Sequence, residues 1–99
     1  TCADAGPRPY LKIMPDIVIY TTPYCFFCRA AKDLLQGEGL AFKEIDVSRD
    51  ETLRGSMTAR SGGRRSVPQI FIGSSHVGGF QELYQLTRAG RLPLLLEST

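Results

Sequence analysis

A chain of 99 residues is about one domain's worth, and 42% hydrophobic with 22% charged residues is the balance of an ordinary soluble globular protein. A net charge of +2 is too small to argue for nucleic acid or an anionic membrane as partner, and no apolar run approaches the roughly 20 residues that span a bilayer. Three cysteines, Cys2, Cys25 and Cys28, are too few for a secreted disulfide scaffold.

Residues 1–14 carry Pro, Gly and Ala without a clear period, and lack the uninterrupted apolar stretch of a signal peptide. They read as a tail, with Cys2 an exposed bystander thiol, ahead of a single domain over residues 15–99. Ile17-Val18-Ile19-Tyr20 is a continuous β-branched run, the pattern of a buried strand, and Thr21, Thr22 and Pro23 end it. Ala30, Ala31, Leu34 and Leu35 then recur at helical spacing until Gly37 and Gly39. Phe42, Ile45 and Val47 suggest a second strand over Ala41–Val47.

Ser48-Arg49-Asp50-Glu51 fits a capping box, with Ser at the cap and Glu three residues later. It predicts a helix from about Arg49 towards Arg60 that buries Leu53 and Met57. Pro68–Ile72 reads as a third strand, Gly73-Ser74-Ser75 as a hairpin turn, and His76-Val77-Gly78 as a short fourth strand. Phe80, Leu83, Tyr84 and Thr87 share one helical face, and Gly90 ends that helix. The last residues, Arg91–Thr99, suggest a turn or short helix. The order βαβαββα predicts an α/β domain in which a parallel βαβ half meets an antiparallel hairpin.

Three stretches carry chemistry. Cys25 and Cys28 fall between the first strand and the first helix. Structural zinc usually takes four Cys or His ligands, and His76 is the only histidine, so a metal knuckle is disfavoured. At a helix N-terminus, unpartnered N–H groups and the partial positive charge stabilise a thiolate, and Arg29 and Lys32 add charge on the next turns. Cys25 sits at that end as the candidate nucleophile. Cys28, one turn inside, is the candidate resolving thiol, more buried and less reactive.

The second stretch is Val67-Pro68, where Pro opens a strand. A trans bond makes an ordinary edge strand, whereas a cis bond would turn the Val67 N–H and C=O outward, free to pair with an extended peptide. The third is Gly78-Gly79 before a helix, either a plain tight turn or a place where helix N–H groups meet an anion. His76 reads as a half-exposed strand residue, Tyr20 and Tyr84 as core, and Gln69 as pointing to solvent.

Together "YTTPYCFFCRAAKDLL", "SVPQIFIG" and "HVGGFQELYQL" resemble the glutaredoxin family of the thioredoxin fold, in particular its small bacterial dithiol members, over about Asp16–Leu95. The resemblance implies a thioredoxin-like mixed four-stranded sheet flanked by helices, a cis Pro68, and a glutathione-dependent thiol–disulfide oxidoreductase. Glutathione would be the electron donor, with no further cofactor required. The implied glutathione groove draws on Thr22, Phe27, Arg64, Val67, Pro68, Gly79, Phe80 and Gln81. Its partners would be glutathione and disulfide-containing or glutathionylated proteins, and a monomer in a reducing cytoplasm suits that chemistry. The sequence departs from the family motif at Phe26 (usually Pro), Phe27 (Tyr), Thr22 (Lys) and Gln81 (Asp). Arg60, Arg64 and Arg65 are candidates for replacing the missing positive charge. The alternative is a carrier in which Cys25 from each of two chains, with two glutathiones, ligates a [2Fe–2S] cluster.

Overall fold

The computed structural model describes residues 16–92. The expected tail, Cys2 and the C-terminal turn beyond residue 92 lie outside the described residues. Among the described residues, four strands and three helices follow the predicted order: β1 Ile17–Thr21, α1 Phe26–Gly37, β2 Lys43–Asp46, α2 Glu51–Arg60, β3 Gln69–Ile72, β4 Ser75–Gly78 and α3 Phe80–Arg88. The strands make one sheet in the order β2-β1-β3-β4. β1 pairs parallel to β2, with Tyr20 opposite Ile45, and antiparallel to β3, with Ile19 opposite Ile70. β4 returns antiparallel on β3 through the Gly73 turn, with a register shift between Ile70 and Phe71. Among the described residues no helix is long and apolar enough to cross a membrane.

Strand side chains alternate between faces, and that period divides the core in two. Ile17, Ile19, Ile70 and Ile72 pack with Ala31 and Leu35 of α1 and Leu83 of α3. Tyr20 and Phe71 point the other way and pack with Val47 and Met57, so α2 covers the opposite face. Full burial of a side chain such as Ile19 or Leu83 is worth about 1.5–3 kcal/mol. The central strands β1 and β3 are therefore fixed from both faces, and everything placed at their ends inherits that rigidity.

The start of α2 and the placement of two side chains depart from the sequence expectation. α2 is capped by Asp50 and not by Ser48: the Asp50 side chain accepts the Leu53 N–H at 3.1 Å. The Ser48 N–H is already taken by Asp46 Oδ1 at 2.8 Å, which folds the end of β2 into a turn and delays the helix. Gln69 is fully buried, not solvent-facing, because its amide bonds the Ser66 carbonyl at 3.1 Å and its oxygen meets His76 Nε2 at 2.7 Å. Tyr84, expected in the core, stands 42% exposed on the outer side of α3.

The cap assignment gives a stability prediction. Asp50→Ala should lower unfolding free energy by about 1 kcal/mol, as loss of an N-cap does. Ser48→Ala should change it little, because Ser48 contributes its backbone N–H to the turn. Urea denaturation of both variants would check this, and a larger loss at Ser48 would contradict it.

Candidate active site

The end of β1 delivers the chain to a sharp turn. Tyr24 lies in the left-handed region at φ 63°. That conformation costs a non-glycine residue about 1–2 kcal/mol, and it aims the next residue into the start of α1. Cys25 is the N-cap of α1, with extended backbone angles. Its Sγ accepts the Cys28 N–H at 3.2 Å, and its carbonyl accepts the Arg29 N–H at 3.1 Å. The sulfur thus satisfies one of the helix's orphan donors and lies in the positive field of the helix end.

The two thiols differ as their positions on the helix demand. Cys25 is half-buried and open to solvent, whereas Cys28 is buried against the sheet. Burial, then the bond shared with Cys25, pushes the Cys28 thiol up to about 12, with a Thr22 backbone N–H and the Lys32 charge pulling the other way. Cys28 is therefore a thiol at neutral pH.

Two recesses lie at this end of the fold: Cys25 and Cys28 line the first, and Phe27, two residues past Cys25, lines the second. The first, a cleft of about 390 Å³, is lined by Thr22, Tyr24, Cys25, Cys28, Arg29, Lys32, Glu44 and Asp46. Its floor is fixed by Glu44, which takes the hydroxyl of buried Thr21 at 2.7 Å and the Lys32 ammonium at 3.0 Å. The Thr21 bond, helped by Lys32, holds the Glu44 carboxyl below its ordinary range. The second, a groove of about 250 Å³, runs between the loop before β3 and the start of α3.

Seven of the eight residues expected around glutathione line that second groove: Phe27, Arg64, Val67, Pro68, Gly79, Phe80 and Gln81. Thr22 does not join them and opens on the cleft instead. The Val67–Pro68 bond is cis. Among the described residues, no backbone hydrogen bond outside the helices and strands engages Val67.

The basic run divides sharply. Arg60 donates to the Tyr20 hydroxyl at 2.9 Å and lies 4.3 Å over the Phe71 ring, a cation–π contact that covers the α2-side core. Arg54 holds the Arg65 carbonyl at 2.8 Å, and Arg65 reaches back to Glu51 at 3.3 Å. Arg64 alone of the three candidate arginines faces the groove.

Two residues that shape the site were not read as part of it from the sequence. Glu82 folds back so that its Oε1 accepts the Gly79 N–H at 2.8 Å, while Oε2 lies 3.7 Å from Arg64. The Gly79 bond is the main reason its carboxyl is held below the ordinary range. A Cβ on Gly78, which has φ +117°, would come within 3.0 Å of the Glu82 side chain, so the fold-back needs glycine there twice over. The signal was a Glu three residues past the Gly79 cap, the spacing of a capping box without its hydroxyl. The second is Gln69, whose bonds to Ser66 and His76 tie the groove loop to β4. Burial, then Arg64, keeps the His76 imidazole below its usual pKa.

A family model described as Glutaredoxin matches residues 17–77. The chain belongs to the glutaredoxin family. The Pseudomonas aeruginosa glutaredoxin is 48% identical over 86% of this chain and 100% of its own length. The solution structure of a glutaredoxin from Brucella melitensis superposes with a TM-score of 0.75 at 50% identity, covering 86% of this chain and 91% of that one. A buckwheat glutaredoxin–glutathione complex gives 0.74 at 26% identity, covering 83% and 76%. The thioredoxin-like fold expected from the sequence is thus the fold found, and a glutaredoxin is a thiol–disulfide oxidoreductase. The carrier alternative would take its ligands from two chains, of which one chain holds only Cys25.

The asymmetry of the thiols is open to direct test. A short exposure of the reduced protein to iodoacetamide at pH 7 should label Cys25 and leave Cys28 unmodified, read by peptide mass mapping. A thiol raised to about 12 stays protonated throughout the neutral range. Equal labelling of the two would contradict the assigned burial and protonation.

Proposed function

We propose that this glutaredoxin reduces protein disulfides and glutathione mixed disulfides at the expense of glutathione, in a reducing cytoplasm. The observation that carries the reading is the groove bounded by the Val67 backbone on one side and the N-terminus of α3 on the other, whose wall includes Phe27, two residues past Cys25. Val67 offers an unpaired edge to the cysteinyl unit of a peptide. The first N–H groups of α3 suit a carboxylate. Glu82 already occupies the Gly79 N–H, so the γ-glutamyl carboxylate is left to the amides of Phe80 and Gln81. Among the described residues that line the groove, Arg64 is the one cation, and it supplies the charge for the glycyl end.

The chemistry follows from the unequal thiols. The Cys25 thiolate attacks one sulfur of a protein disulfide. A Cys25–substrate disulfide forms, and the other substrate sulfur leaves as a thiolate and takes a proton. Cys28 then loses its proton to water and attacks Cys25 Sγ. The Cys25–Cys28 disulfide forms, and the substrate's second thiol is released. One glutathione thiolate opens that disulfide at Cys25 and returns Cys28 to the thiol. A second attacks the glutathione sulfur, releases oxidised glutathione and regenerates the Cys25 thiolate. Two electrons pass from two glutathiones to one substrate disulfide. On a glutathione mixed disulfide the Cys25 thiolate attacks the glutathione sulfur, the substrate leaves as a thiolate and takes a proton, and the glutathione now on Cys25 is removed by the last step, so Cys25 alone suffices.

Consequently Cys25→Ser should abolish both activities. Cys28→Ser should keep turnover of small glutathione mixed disulfides and lose most reduction of protein disulfides. The reverse pattern, in coupled glutathione assays, would exchange the two roles.

Arg64→Ala should raise KM for glutathione substrates by about threefold to tenfold with kcat little changed, because the attraction is felt similarly before and in the transition state. The effect should shrink with added salt. Arg65→Ala, whose side chain faces Glu51, is the control and should leave KM alone. Equal effects of the two substitutions would remove Arg64 from the groove's recognition.

A further inference from the structure

Cys25 stands at one end of a row of aromatic rings on the protein surface. Phe26 and Phe27 follow it directly, with ring centroids 5.3 Å apart and edge to face. Phe27 meets Phe80 at 5.9 Å, and Phe80 stacks on Tyr84 at 5.8 Å and 24°. The row passes from the first turn of α1 across the mouth of the groove onto the outer face of α3, where Arg88 lies 5.6 Å over the Tyr84 ring. Phe26 is 76% exposed and Phe27 50%. Only Phe80 packs against the main core, so it anchors a strip that the fold itself does not need. A contiguous exposed apolar strip of this kind marks an interaction surface.

The reaction decides what covers it. Attack by Cys25 Sγ requires the substrate's half-cystine to sit at the start of the row, so the residues flanking that half-cystine lie against the rings. In an extended chain, side chains two residues apart share a face at about 6.6 Å, close to the ring spacing here. Glutathione brings only glutamyl and glycyl units beside its cysteine and has no ring to offer. A polypeptide substrate does.

We propose that the row Phe26–Phe27–Phe80–Tyr84 is a recognition surface for protein substrates, selecting disulfides whose half-cystine has an aromatic side chain within two residues. It rests on the disulfide-reductase reading above. The added ring–ring contact is the source of discrimination, and the groove remains the seat of glutathione.

Two symmetric disulfide-linked peptide dimers test it, one built on Phe-Ser-Cys-Ser-Phe and the other on Ser-Ser-Cys-Ser-Ser. Both are assayed with glutathione beside a small non-peptide glutathione mixed disulfide. The Phe dimer should show a kcat/KM about fivefold to tenfold higher, the scale of one or two aromatic contacts. Phe26→Ser should cut that preference to about half or less, and Phe26→Tyr should restore it. Both variants should turn over the small disulfide like the parent. Equal kcat/KM for the two dimers, with normal turnover of the small disulfide, would overturn the proposal, as would a preference untouched by Phe26→Ser. Self-association in sedimentation that Phe26→Ser abolishes would make the row an interface between copies of this chain, and would overturn it too. Failure of the parent on all three substrates would sink the glutathione-dependent reading itself.

Discussion

The contact on which the site depends is the 3.2 Å hydrogen bond from the Cys28 N–H to Cys25 Sγ. It exists only because β1, buried on both faces, ends where α1 begins and delivers Cys25 as the N-cap. The same contact fixes both roles. Cys25 Sγ accepts one N–H of the helix start and stays open to solvent, where a substrate disulfide can reach it. A sulfur one turn further in is carried under the helix and loses water. A single strand-to-helix junction thus makes two chemically identical side chains unequal.

The groove depends on a second set of constraints around the loop before β3. Ser61 Oγ holds the Arg64 carbonyl at 2.9 Å, Arg54 the Arg65 carbonyl, and Gln69 the Ser66 carbonyl. Three successive carbonyls are therefore tied to α2, its C-terminus and β3, and Val67 is presented from a fixed platform. Opposite it, Glu82 closes the first turn of α3 and draws Arg64 towards the groove wall. That pair is half-exposed, and so worth little to stability. Its value is in where it places a charge. The four arginines between Arg54 and Arg65 look alike in a sequence but differ in use. One builds the loop, one covers the core, one meets Glu51, and one faces the groove.

Much of this was legible in the chain because its signals are local. The β-branched run at Ile17, the spacing of Ala31 and Leu35, and the Gly73 turn each specify an element from within a few residues. The Cys pair could be placed at a helix start for the same reason. What was not legible is long-range. Ser48 and Asp50 are both good caps, and the choice falls to Asp50 because Asp46 captures the Ser48 N–H. Gln69 looks solvent-facing after Pro68 until Ser66 and His76 satisfy its amide in the interior. Tyr84 shares the apolar face of α3 by period, yet Leu83 fills the core and leaves Tyr84 to stack on Phe80. The family resemblance alone placed Thr22 in the groove, whereas at the end of β1 it opens on the cleft.

Cys25 lines the cleft while Phe27, two residues on, lines the groove, and the choice between the two recesses is the central question. It is answered by linking glutathione to Cys25 in the Cys28→Ser chain, where the mixed disulfide cannot be resolved internally, and mapping amide chemical shifts against the reduced form. Shifts should concentrate at Val67, Phe80 and Gln81, with Glu44 and Asp46 nearly unmoved. Shifts concentrated at Thr22, Glu44 and Asp46 would put glutathione in the cleft and contradict the groove assignment.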